Sequence, residues 1–446
     1  MDGPLLAAVA GLAIITLLAL RVPVAFALLA VAIVGLFLLG AGRMGGFNPD
    51  FGWRSTVSML ARDPYSFVAS FSLMTIPMFL LMGNFAFHAG ATSDAFRTAR
   101  VWLSALPGGL ALASVAACAM FAAISGSSLA TAAAMGRIAV PEMLRQGYAP
   151  SLATGAVAAG GTLGALIPPS ILIIIYGIFA EQSIGRLLIG GIGPGLLTAL
   201  TYMIYIVLRV WMNPALAPRA DEHFTWGARL QSLSGTWQFL VIFTVVIGFI
   251  YTGVTTPTEA AAVGAISVLA LGALRRRLVL NNSWSAVRET VVQTAMIFAI
   301  AVASKVLVAF VAFTGVSADL ANWAGSIEGE RIYVMLLICA IYVLLGMFME
   351  PIGILLLTLP LVVPIVSALG YDLIWFGILL VKLLEVGMIT PPVGLNVFVL
   401  NAAISNQVKL EDIFRGIGGF LIADVVTIAL MVAIPDVVLL LPRLMF

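Results

Sequence analysis

Charged residues are scarce in this chain of 446 residues. Asp, Glu, Lys and Arg together make up 9% of it, whereas 62% of it is apolar. Its mean hydropathy of +1.13 is far above what the surface of a water-soluble protein can carry. Since a membrane span takes about 20 apolar residues, the chain has room for roughly a dozen spans and for no sizeable soluble domain. It is therefore predicted to be an integral membrane protein without a nucleotide-binding domain.

Cysteine and histidine are also rare, and this limits the chemistry. The two cysteines lie in apolar runs, so they indicate neither a disulfide framework nor a metal cluster. The two histidines lie in polar turns, and the sequence contains no GxSxG, HExxH or GxxxxGK[ST] motif. The 22 basic residues nearly balance the 20 acidic ones, which indicates no nucleic-acid partner. A membrane enzyme is thus disfavoured, and we expect neither catalytic residues nor an organic cofactor.

Long apolar stretches are what the sequence has in abundance. They recur at about residues 4–20, 22–42, 66–88, 110–135, 152–180, 187–210, 237–252, 257–274, 290–314, 331–348, 352–369, 373–400 and 416–441. Most are long enough to span a membrane as helices and none alternates like a strand, so an all-α polytopic membrane protein is predicted. We expect residues 1–446 to form a single transmembrane unit, in which a polar cytoplasmic linker, 211–236, separates the halves 1–210 and 237–446.

Helix-breaking or polar residues interrupt four of these stretches, where an unpaired backbone group is costly unless protein or a water-filled cavity surrounds it. The interruptions are FAAISGSSLATAAAMG, GGTLGALIPPSILI, GMFMEPIGILLLTLP and EVGMITPPVGLNVFVLN. They form two matched pairs, because Pro168 and Pro391 are 223 residues apart and Ser127 and Glu350 each precede these prolines by 41 residues. A duplication is therefore predicted, and each half has one re-entrant helical hairpin (about 110–135 and 331–369) and one unwound helix (about 152–180 and 373–400).

The positions of Lys and Arg indicate the orientation, because basic loops are retained in the cytoplasm. With an external N-terminus and two re-entrant segments, six basic residues lie outside, namely Arg43, Arg54, Arg62, Arg186, Arg331 and Arg443. Lys305 and Lys382 fall within apolar segments, so the other fourteen of the 22 lie inside. Both termini are therefore predicted outside the cytoplasm, and the two halves have opposite topology, as in many secondary transporters.

Broken helices expose groups that bind ions. Free N–H groups at helix N-termini attract an anion, while unwound carbonyls and Ser or Thr hydroxyls supply the oxygen ligands of a hard cation such as sodium. One predicted oxygen cage comprises Ser125, Ser128, Gly164, Ile167 and Pro168, and its counterpart comprises Gly346, Gly353, Gly387, Thr390 and Val393. The residues predicted to line the space between the cages, where a carboxylate would be held, are Ser127, Thr162, Pro351 and Asn396.

Two other interpretations stay open at this point. Gly, Ser, Thr and Pro also occur in membrane helices to permit close packing or kinks, although matched pairs at equal spacing favour a transport site. A passive channel is the second alternative, and duplicated inverted hairpins argue against it.

At these motifs the chain resembles the large membrane subunit, or M component, of the tripartite ATP-independent periplasmic (TRAP) transporters, within the ion transporter superfamily. The segments SGSSLATAAAMG, GGTLGALIPPSILI and ITPPVGLNVFVLN carry the resemblance, which runs over nearly the whole chain. It implies a sodium-coupled elevator, in which a transport domain slides against a scaffold and imports an organic anion such as sialic acid or a dicarboxylate. It also implies that sodium binds at the two cages, where Gly387, Thr390 and Val393 of the second cage are joined by either Gly346 or Gly353.

The resemblance implies partners and a location as well. A soluble periplasmic binding protein hands over the anion, and a small membrane subunit of four helices, the Q component, completes the complex. The first motif begins near residue 121, so we expect that subunit to be a separate chain. The expected location is the bacterial inner membrane, in contact with its lipids. The alternative is a sodium–dicarboxylate symporter that works without a binding protein.

Several charged residues lie within or beside the apolar segments. Glu350 is a candidate proton or cation site, or else a capping carboxylate at the second hairpin tip. Lys382 and Glu385 lie one turn apart and are expected to form an internal ion pair, and Asp424 is expected to pair within the scaffold. Two short basic segments, GATSDAFRTARVWLSALPGG and QVKLEDIFRGIGGF, are predicted to lie in the interface as arms between transport domain and scaffold.

The topology can be checked by cysteine accessibility in intact cells. We expect the termini and residues 317–330 outside, and residues 209–236 and Arg275–Arg277 inside, because of the Lys and Arg distribution. In a background without Cys118 and Cys339, an impermeant thiol reagent should label Asn322→Cys and spare Asp221→Cys. The opposite labelling pattern would contradict both the orientation and the inverted-repeat interpretation.

Overall fold

The computed structural model describes residues 3–42, 47–218, 224–326, 331–405 and 407–445, without the side chains of residues 63, 238 and 239. Within these ranges the regular structure is helical and contains no strand. Predictions about Arg43, Asp221 and residues 327–330 lie outside the described residues. Eight helical segments of the described chain are long and apolar enough to cross a membrane. The predicted all-α polytopic fold is therefore confirmed.

The described residues form twenty α-helices and two short 3₁₀ turns. In chain order the helices are α1 (Gly3–Ala19), α2 (Val24–Gly42), α3 (Pro49–Val68), α4 (Thr75–His88), α5 (Ala91–Leu103), α6 (Gly109–Ser125), α7 (Ser128–Arg145), α8 (Pro150–Leu166), α9 (Ile171–Phe179), α10 (Ile184–Met212), α11 (Trp226–Tyr251), α12 (Pro257–Leu274), α13 (Leu280–Thr314), α14 (Val316–Gly325), α15 (Arg331–Gly346), α16 (Pro351–Ala368), α17 (Leu373–Ile389), α18 (Leu395–Ala403), α19 (Leu410–Ala433) and α20 (Asp436–Leu444).

The duplication is visible in the helix boundaries. Helix α7 (Ser128–Arg145) and helix α16 (Pro351–Ala368) begin and end 223 residues apart, as do α8 (Pro150–Leu166) and α17 (Leu373–Ile389). The same offset separates the proline pairs in the sequence. Each half of the chain thus contains the same order of elements, a helical hairpin followed by a broken helix.

The first hairpin, α6 and α7, turns at Gly126 and Ser127. Gly126 has a φ of +63°, and a Cβ atom there would lie 2.5 Å from the carbonyl oxygen of Pro169, so the turn requires glycine. The Ser127 side chain then accepts a hydrogen bond from the Ala130 amide and starts α7. At the other end the amide of Leu110 donates to the Tyr148 hydroxyl at 3.2 Å. Both feet of the hairpin therefore lie together, as a re-entrant segment requires.

This hairpin is longer than the predicted segment 110–135, because α7 continues to Arg145. The polar residues in its second half hide the helix from a search for apolar runs. Arg100 of α5 pairs with Glu142 there, with 2.7 Å between guanidinium nitrogen and carboxylate oxygen, so a partly buried ion pair holds this end of the hairpin.

The second hairpin, α15 and α16, turns at residues 347–350. The hydroxyls of Tyr342 and Thr358 lie 2.6 Å apart and join its two arms. Its feet also meet, since a Cβ atom at Gly370 would lie 3.6 Å from the guanidinium of Arg331. In each hairpin the two feet therefore lie next to each other, as the sequence pattern predicts.

The two broken helices end at the proline pairs. Helix α8 stops at Leu166, and Ser170 caps the start of α9 by accepting from the Ile173 amide at 3.3 Å. Helix α17 stops at Ile389, and α18 begins after Gly394. Both Pro–Pro peptide bonds are cis. Between Leu166 and Ile171, and between Ile389 and Leu395, the backbone is therefore outside any helix.

Helices α1, α2, α3 and α13 pack around a separate apolar cluster that includes Leu28, Leu36, Leu307 and Phe310. Here the structure adds to the sequence analysis, in which residues 43–65 lie between two predicted apolar stretches and belong to no helix. These residues include the 20-residue helix α3, which starts with the Asn48 side chain accepting from the Phe51 amide. Mixed polar and apolar residues on α3 keep its hydropathy near zero, which explains why an apolar search misses it.

The two segments predicted to be arms form different kinds of helix in the structure. The segment before the first hairpin forms α5, whose buried Asp94 pairs with Arg277, with 2.5 Å between the nearest nitrogen and oxygen. The segment QVKLEDIFRGIGGF instead leads into the first turns of the long helix α19. By the 223-residue offset, the counterpart of α5 is α14, which packs on α16 and whose Ser317 hydroxyl donates to the Pro360 carbonyl. The prediction of the second arm was wrong.

Helices α8 and α19 approach so closely that their contact offers a test of the packing. A Cβ atom at Gly416 would lie 2.0 Å from the carbonyl oxygen of Ser151, whereas no atom of the described residues lies within 4 Å of one at Gly418. We expect Gly416→Ala to destabilise the protein by about 1–3 kcal/mol, because overpacking forces the backbones apart. Gly418→Ala, on the same helix, should be neutral or slightly stabilising. Melting temperatures of the purified variants in detergent provide the comparison, and equal values would contradict the close approach.

Candidate functional site

The turns of the hairpins and the breaks of the long helices meet in the interior. The Ile171 amide at the start of α9 donates to the Gly126 carbonyl at 3.3 Å, which ties the first hairpin turn to the first break. At the second turn a Cβ atom on Gly387 would lie 2.5 Å from the Cα of Gly346, so α15 and α17 touch through their backbones. Each hairpin tip therefore packs against the broken helix of its own half.

A small cavity of about 60 Å³, the tip cavity, lies where these parts converge. It is lined by Gly126, Ser127, Ser128, Leu129, Ala165, Ile171, Leu172, Glu350, Pro351, Ile352 and Met388. These residues come from both hairpin tips, from the first break and from the end of α17. The tip cavity is therefore the place where the two halves of the chain meet.

A larger cavity of about 660 Å³, the central cavity, adjoins it and shares Ser127 and Glu350 with it. One wall is the first hairpin, and the opposite wall is made by α4 and α13. Its polar and charged lining residues are Asn84, Ser125, Ser127, Arg137, Glu289, Gln293 and Glu350. A volume of this size falls within the range of sites for small organic ligands, about 300–1,000 Å³.

The sequence analysis does not predict most residues that line the central cavity, although those on α7 and α13 follow helical spacing in the sequence. On α7 the lining residues Ala130, Ala133, Ala134 and Arg137 follow helical spacing from the hairpin tip. On α13 the lining begins with Glu289 and Gln293 and continues along one face. Which faces of these helices meet depends on tertiary packing, so the cavity is visible only in the structure.

The first predicted cage is gathered around the first hairpin tip. The hydroxyls of Ser125 and Thr131 lie 3.1 Å apart, and Thr131 donates to the Ser127 carbonyl at 2.8 Å. A Cβ atom on Gly164 would lie 2.5 Å from that same carbonyl oxygen, so α8 passes directly against the tip. Ile167 and Pro168 follow in the break, where carbonyls have no helical partner. The structure thus brings these residues together, and their role as sodium ligands stays a prediction.

The second predicted cage is more open. Gly346 and Gly387 touch through their backbones, and the Thr390 hydroxyl donates to the Val386 carbonyl at 2.6 Å. Val393 lies in the break before α18. A Cβ atom on Gly353 would instead meet the Val24 side chain of α2. Of the two alternative glycines, Gly346 is therefore the one in contact with Gly387.

The four residues predicted to contact substrate are dispersed. Ser127 lines both cavities and Pro351 lines the tip cavity, whereas Thr162 and Asn396 lie outside the described walls of both. The Thr162 hydroxyl donates to the Ala159 carbonyl and lies 3.3 Å from the Tyr202 hydroxyl. The side chain of Asn396 is fully buried at the start of α18, and its amide has no partner among the described residues. Thr162 is thus part of a buried polar network instead of the space between the cages.

That network contains a fully buried ion pair. The Lys382 ammonium lies 2.5 Å from a carboxylate oxygen of Asp424, and the Tyr202 hydroxyl donates to the same oxygen at 2.6 Å. The sequence analysis pairs Lys382 with Glu385 and places Asp424 in a separate scaffold. The pairing is wrong because α19 lies against α17 and brings Asp424 to Lys382, while Glu385 accepts a hydrogen bond from Ser128 at 3.1 Å.

Comparison with known proteins gives a consistent result. The family described as tripartite ATP-independent periplasmic transporter, DctM component, matches residues 12–437. The C4-dicarboxylate TRAP transporter large permease protein DctM of Pseudomonas aeruginosa is 37% identical over 412 residues, which cover 92% of this chain and 93% of that protein. The sialic acid TRAP transporter large permease protein SiaM of Vibrio cholerae is 30% identical over 427 residues and is covered to 95%, as is this chain.

A solved structure shares the fold. The YdaH transporter of Alcanivorax borkumensis, whose crystal structure reveals an unusual topology, superposes with a TM-score of 0.58 over 91% of this chain and 96% of that one. The two sequences are 15% identical, so this likeness concerns the fold alone. The chain therefore shares its overall fold with that solved structure.

The ion pair between Lys382 and Asp424 allows a test by double mutation. We expect Asp424→Asn to cost about 3–5 kcal/mol of stability, because it leaves a buried ammonium without its counter-charge. The double variant Lys382→Met with Asp424→Leu should melt at a higher temperature than the Asp424→Asn single variant. The matched control is the exposed pair Arg443–Asp436, whose removal should change stability by less than about 1 kcal/mol. Melting temperatures in detergent compare these variants with the wild type, and a double variant that melts at or below the temperature of Asp424→Asn would refute the coupling.

Proposed function

Since the chain belongs to the family of the DctM component of tripartite ATP-independent periplasmic transporters, we propose that it is the large membrane subunit of a sodium-coupled importer. Its substrate is an organic anion that a periplasmic binding protein delivers, and a small four-helix membrane subunit completes the complex. The importer lies in the bacterial inner membrane with both termini on the periplasmic side.

The central cavity is the observation that carries the proposal. It is large enough for a small organic molecule, and it lies between the first hairpin and the flanking helices α4 and α13. Arg137 is the basic residue among its described walls, which also contain the acids Glu289 and Glu350, and Ser127 with Asn84 and Gln293 adds neutral hydrogen-bonding groups. Arg137 and the neutral groups are the part of the lining proposed to contact the substrate. Such a set suits a carboxylate with hydroxyl or amide groups, which sialic acids and hydroxy acids share.

Sodium is proposed as the coupling ion because the groups at the breaks are oxygens. Around the first tip these are the hydroxyls of Ser125 and Ser128 and the carbonyls of Gly164, Ile167 and Pro168. Around the second tip they are the carbonyls of Gly346, Gly387 and Val393 with the Thr390 hydroxyl. Hard cations prefer such neutral oxygens over nitrogen or sulfur ligands. Among the described residues no cluster of three His, Cys, Asp or Glu side chains is present, which disfavours a transition metal.

An elevator movement is proposed from the position of the central cavity. Because the cavity lies between the hairpin on one side and α4 with α13 on the other, sliding one side against the other would expose it to each face of the membrane in turn. Helices α5 and α14 are at equivalent positions before the two hairpins, and each connects a flanking helix to its hairpin. They are suited to act as the links that permit such sliding.

A sodium–dicarboxylate symporter that binds its substrate without a binding protein is the second candidate. The same cavity and the same breaks would serve it, so the two candidates differ only in the need for the soluble partner.

Sodium coupling predicts a specific loss in two variants. Uptake by the reconstituted complex should need an inward sodium gradient, and Ser128→Ala and Thr390→Ala should each raise the sodium concentration for half-maximal uptake several-fold, because each removes an oxygen ligand. Ser267→Ala is a control, since its hydroxyl is exposed on α12 and donates to the Val263 carbonyl. Equal uptake in potassium buffer would rule out sodium coupling, and dependence on pH alone would redirect attention to Glu350.

Dependence on the binding protein is a separate expectation. At micromolar substrate, the membrane components with a sodium gradient should transport nothing appreciable until the cognate binding protein is added. Arg54 and Arg62 are exposed on α3 and lie on the predicted outer side, so charge reversal at either should weaken the stimulation by disturbing docking. Radiolabelled uptake into proteoliposomes measures this, and rapid uptake without the soluble protein would favour the symporter.

A further inference from the structure

Glu385 is a carboxylate in the interior that the proposed transport site does not use. It lies on α17, its side chain is completely buried, and one of its oxygens accepts a hydrogen bond from the Ser128 hydroxyl at 3.1 Å. Its other oxygen, Oε2, is buried and has no hydrogen-bond partner among the described residues. A buried carboxylate with a free oxygen costs free energy unless something else satisfies it.

The charges around Glu385 leave it without a counter-charge. Lys382 lies one turn away on the same helix, but its ammonium is bound to Asp424, which also accepts from Tyr202. Lys382 and Asp424 neutralise each other, so an ionised Glu385 adds an uncompensated negative charge to this group of three. Glu350 at the second hairpin tip is the other acid that faces this region through the tip cavity. A monovalent cation close to Glu385 would balance the charge of the ionised carboxylate.

Ser128 connects Glu385 to the first oxygen cage. Because the Ser128 hydroxyl donates its proton to Glu385, the lone pairs of its oxygen are left for a cation on the other side. The same hydroxyl is the first side-chain group of α7, directly after the hairpin turn. A cation bound to the Ser128 oxygen would be separated from the Glu385 carboxylate by that hydroxyl group alone. The attraction between cation and carboxylate would act in the protein interior, where the effective dielectric constant is low and the attraction is strong.

We propose that Glu385 is the counter-charge of the first cation site: it orients the Ser128 hydroxyl and balances the charge of the monovalent cation held at Ser125, Ser128 and the carbonyls of the first break. This inference rests on the proposed sodium coupling. By the 223-residue offset, the counterpart of Glu385 in the first half is Thr162, which is neutral. The equivalent positions in the two broken helices therefore differ, since α17 carries an acid where α8 carries a neutral hydroxyl.

The test measures sodium binding directly, without transport. The purified complex of this chain and its small subunit is titrated with NaCl at constant ionic strength, with choline chloride as the balancing salt, and its melting temperature is recorded at each step. We expect Glu385→Gln to raise the sodium concentration for half-maximal stabilisation at least tenfold. We also expect its melting temperature without sodium to stay equal or rise, because the uncompensated charge is gone. Glu411→Gln, an exposed acid at the start of α19, should behave as the wild type.

A second variant keeps the test decisive if Glu385→Gln folds poorly. Glu385→Asp retains the charge on a shorter side chain, so it should keep a sodium response with affinity between those of the wild type and Ser128→Ala. An unchanged sodium response in Glu385→Gln, or a complete loss in Glu385→Asp, would overturn the role of Glu385 while leaving sodium coupling intact. A wild-type complex that is not stabilised by sodium at all would overturn both proposals together.

Discussion

Every peptide group inside a bilayer has to find its hydrogen-bond partner within the protein, and helices that stop halfway can meet this requirement only when other parts of the chain surround their ends. In this structure the breaks after Leu166 and Ile389 are surrounded by hairpin tips. The first tip reaches the first break through the bond from Ile171 to Gly126, and the second does so through the contact of Gly346 with Gly387. The hairpins, the close approach of the helices and the cavities between them all follow from this one constraint.

Packing of this kind also explains why polar groups collect at the same place. Helix α17 is enclosed on all sides by other helices, so Lys382 and Glu385 on it cannot reach water or lipid head groups. Asp424 of α19 pairs with Lys382, and Ser128 of α7 satisfies one oxygen of Glu385. The ionisable groups therefore hold three helices from both halves of the chain in one arrangement, and the cavities lie beside this arrangement.

Much of the fold could be predicted from the sequence, because short local motifs determine where the helices break and turn. The proline pairs, the glycine–serine turn and their equal spacing predicted the two breaks and the two hairpins, and the structure places helix ends there. Features that depend on contacts between distant segments could not be predicted. The pairing of Lys382 with Asp424, the walls of the central cavity at Arg137 and Glu289, and the role of α14 all depend on which helix faces meet. Helix α3 was not predicted for another reason: its mixture of polar and apolar residues forms no long apolar stretch.

The two hairpin turns occupy equivalent positions in the two halves of the chain but differ in chemistry. Where the first turn has Ser127, the equivalent position of the second, 223 residues later, has Glu350, and Ser128 corresponds in the same way to Pro351. The first tip therefore presents two neutral hydroxyls, whereas the second presents a carboxyl group and a proline, which has no backbone N–H to donate. Two hairpins at equivalent positions in the chain thus border a space with chemically unlike ends, and a space of this kind distinguishes the two ends of an asymmetric molecule.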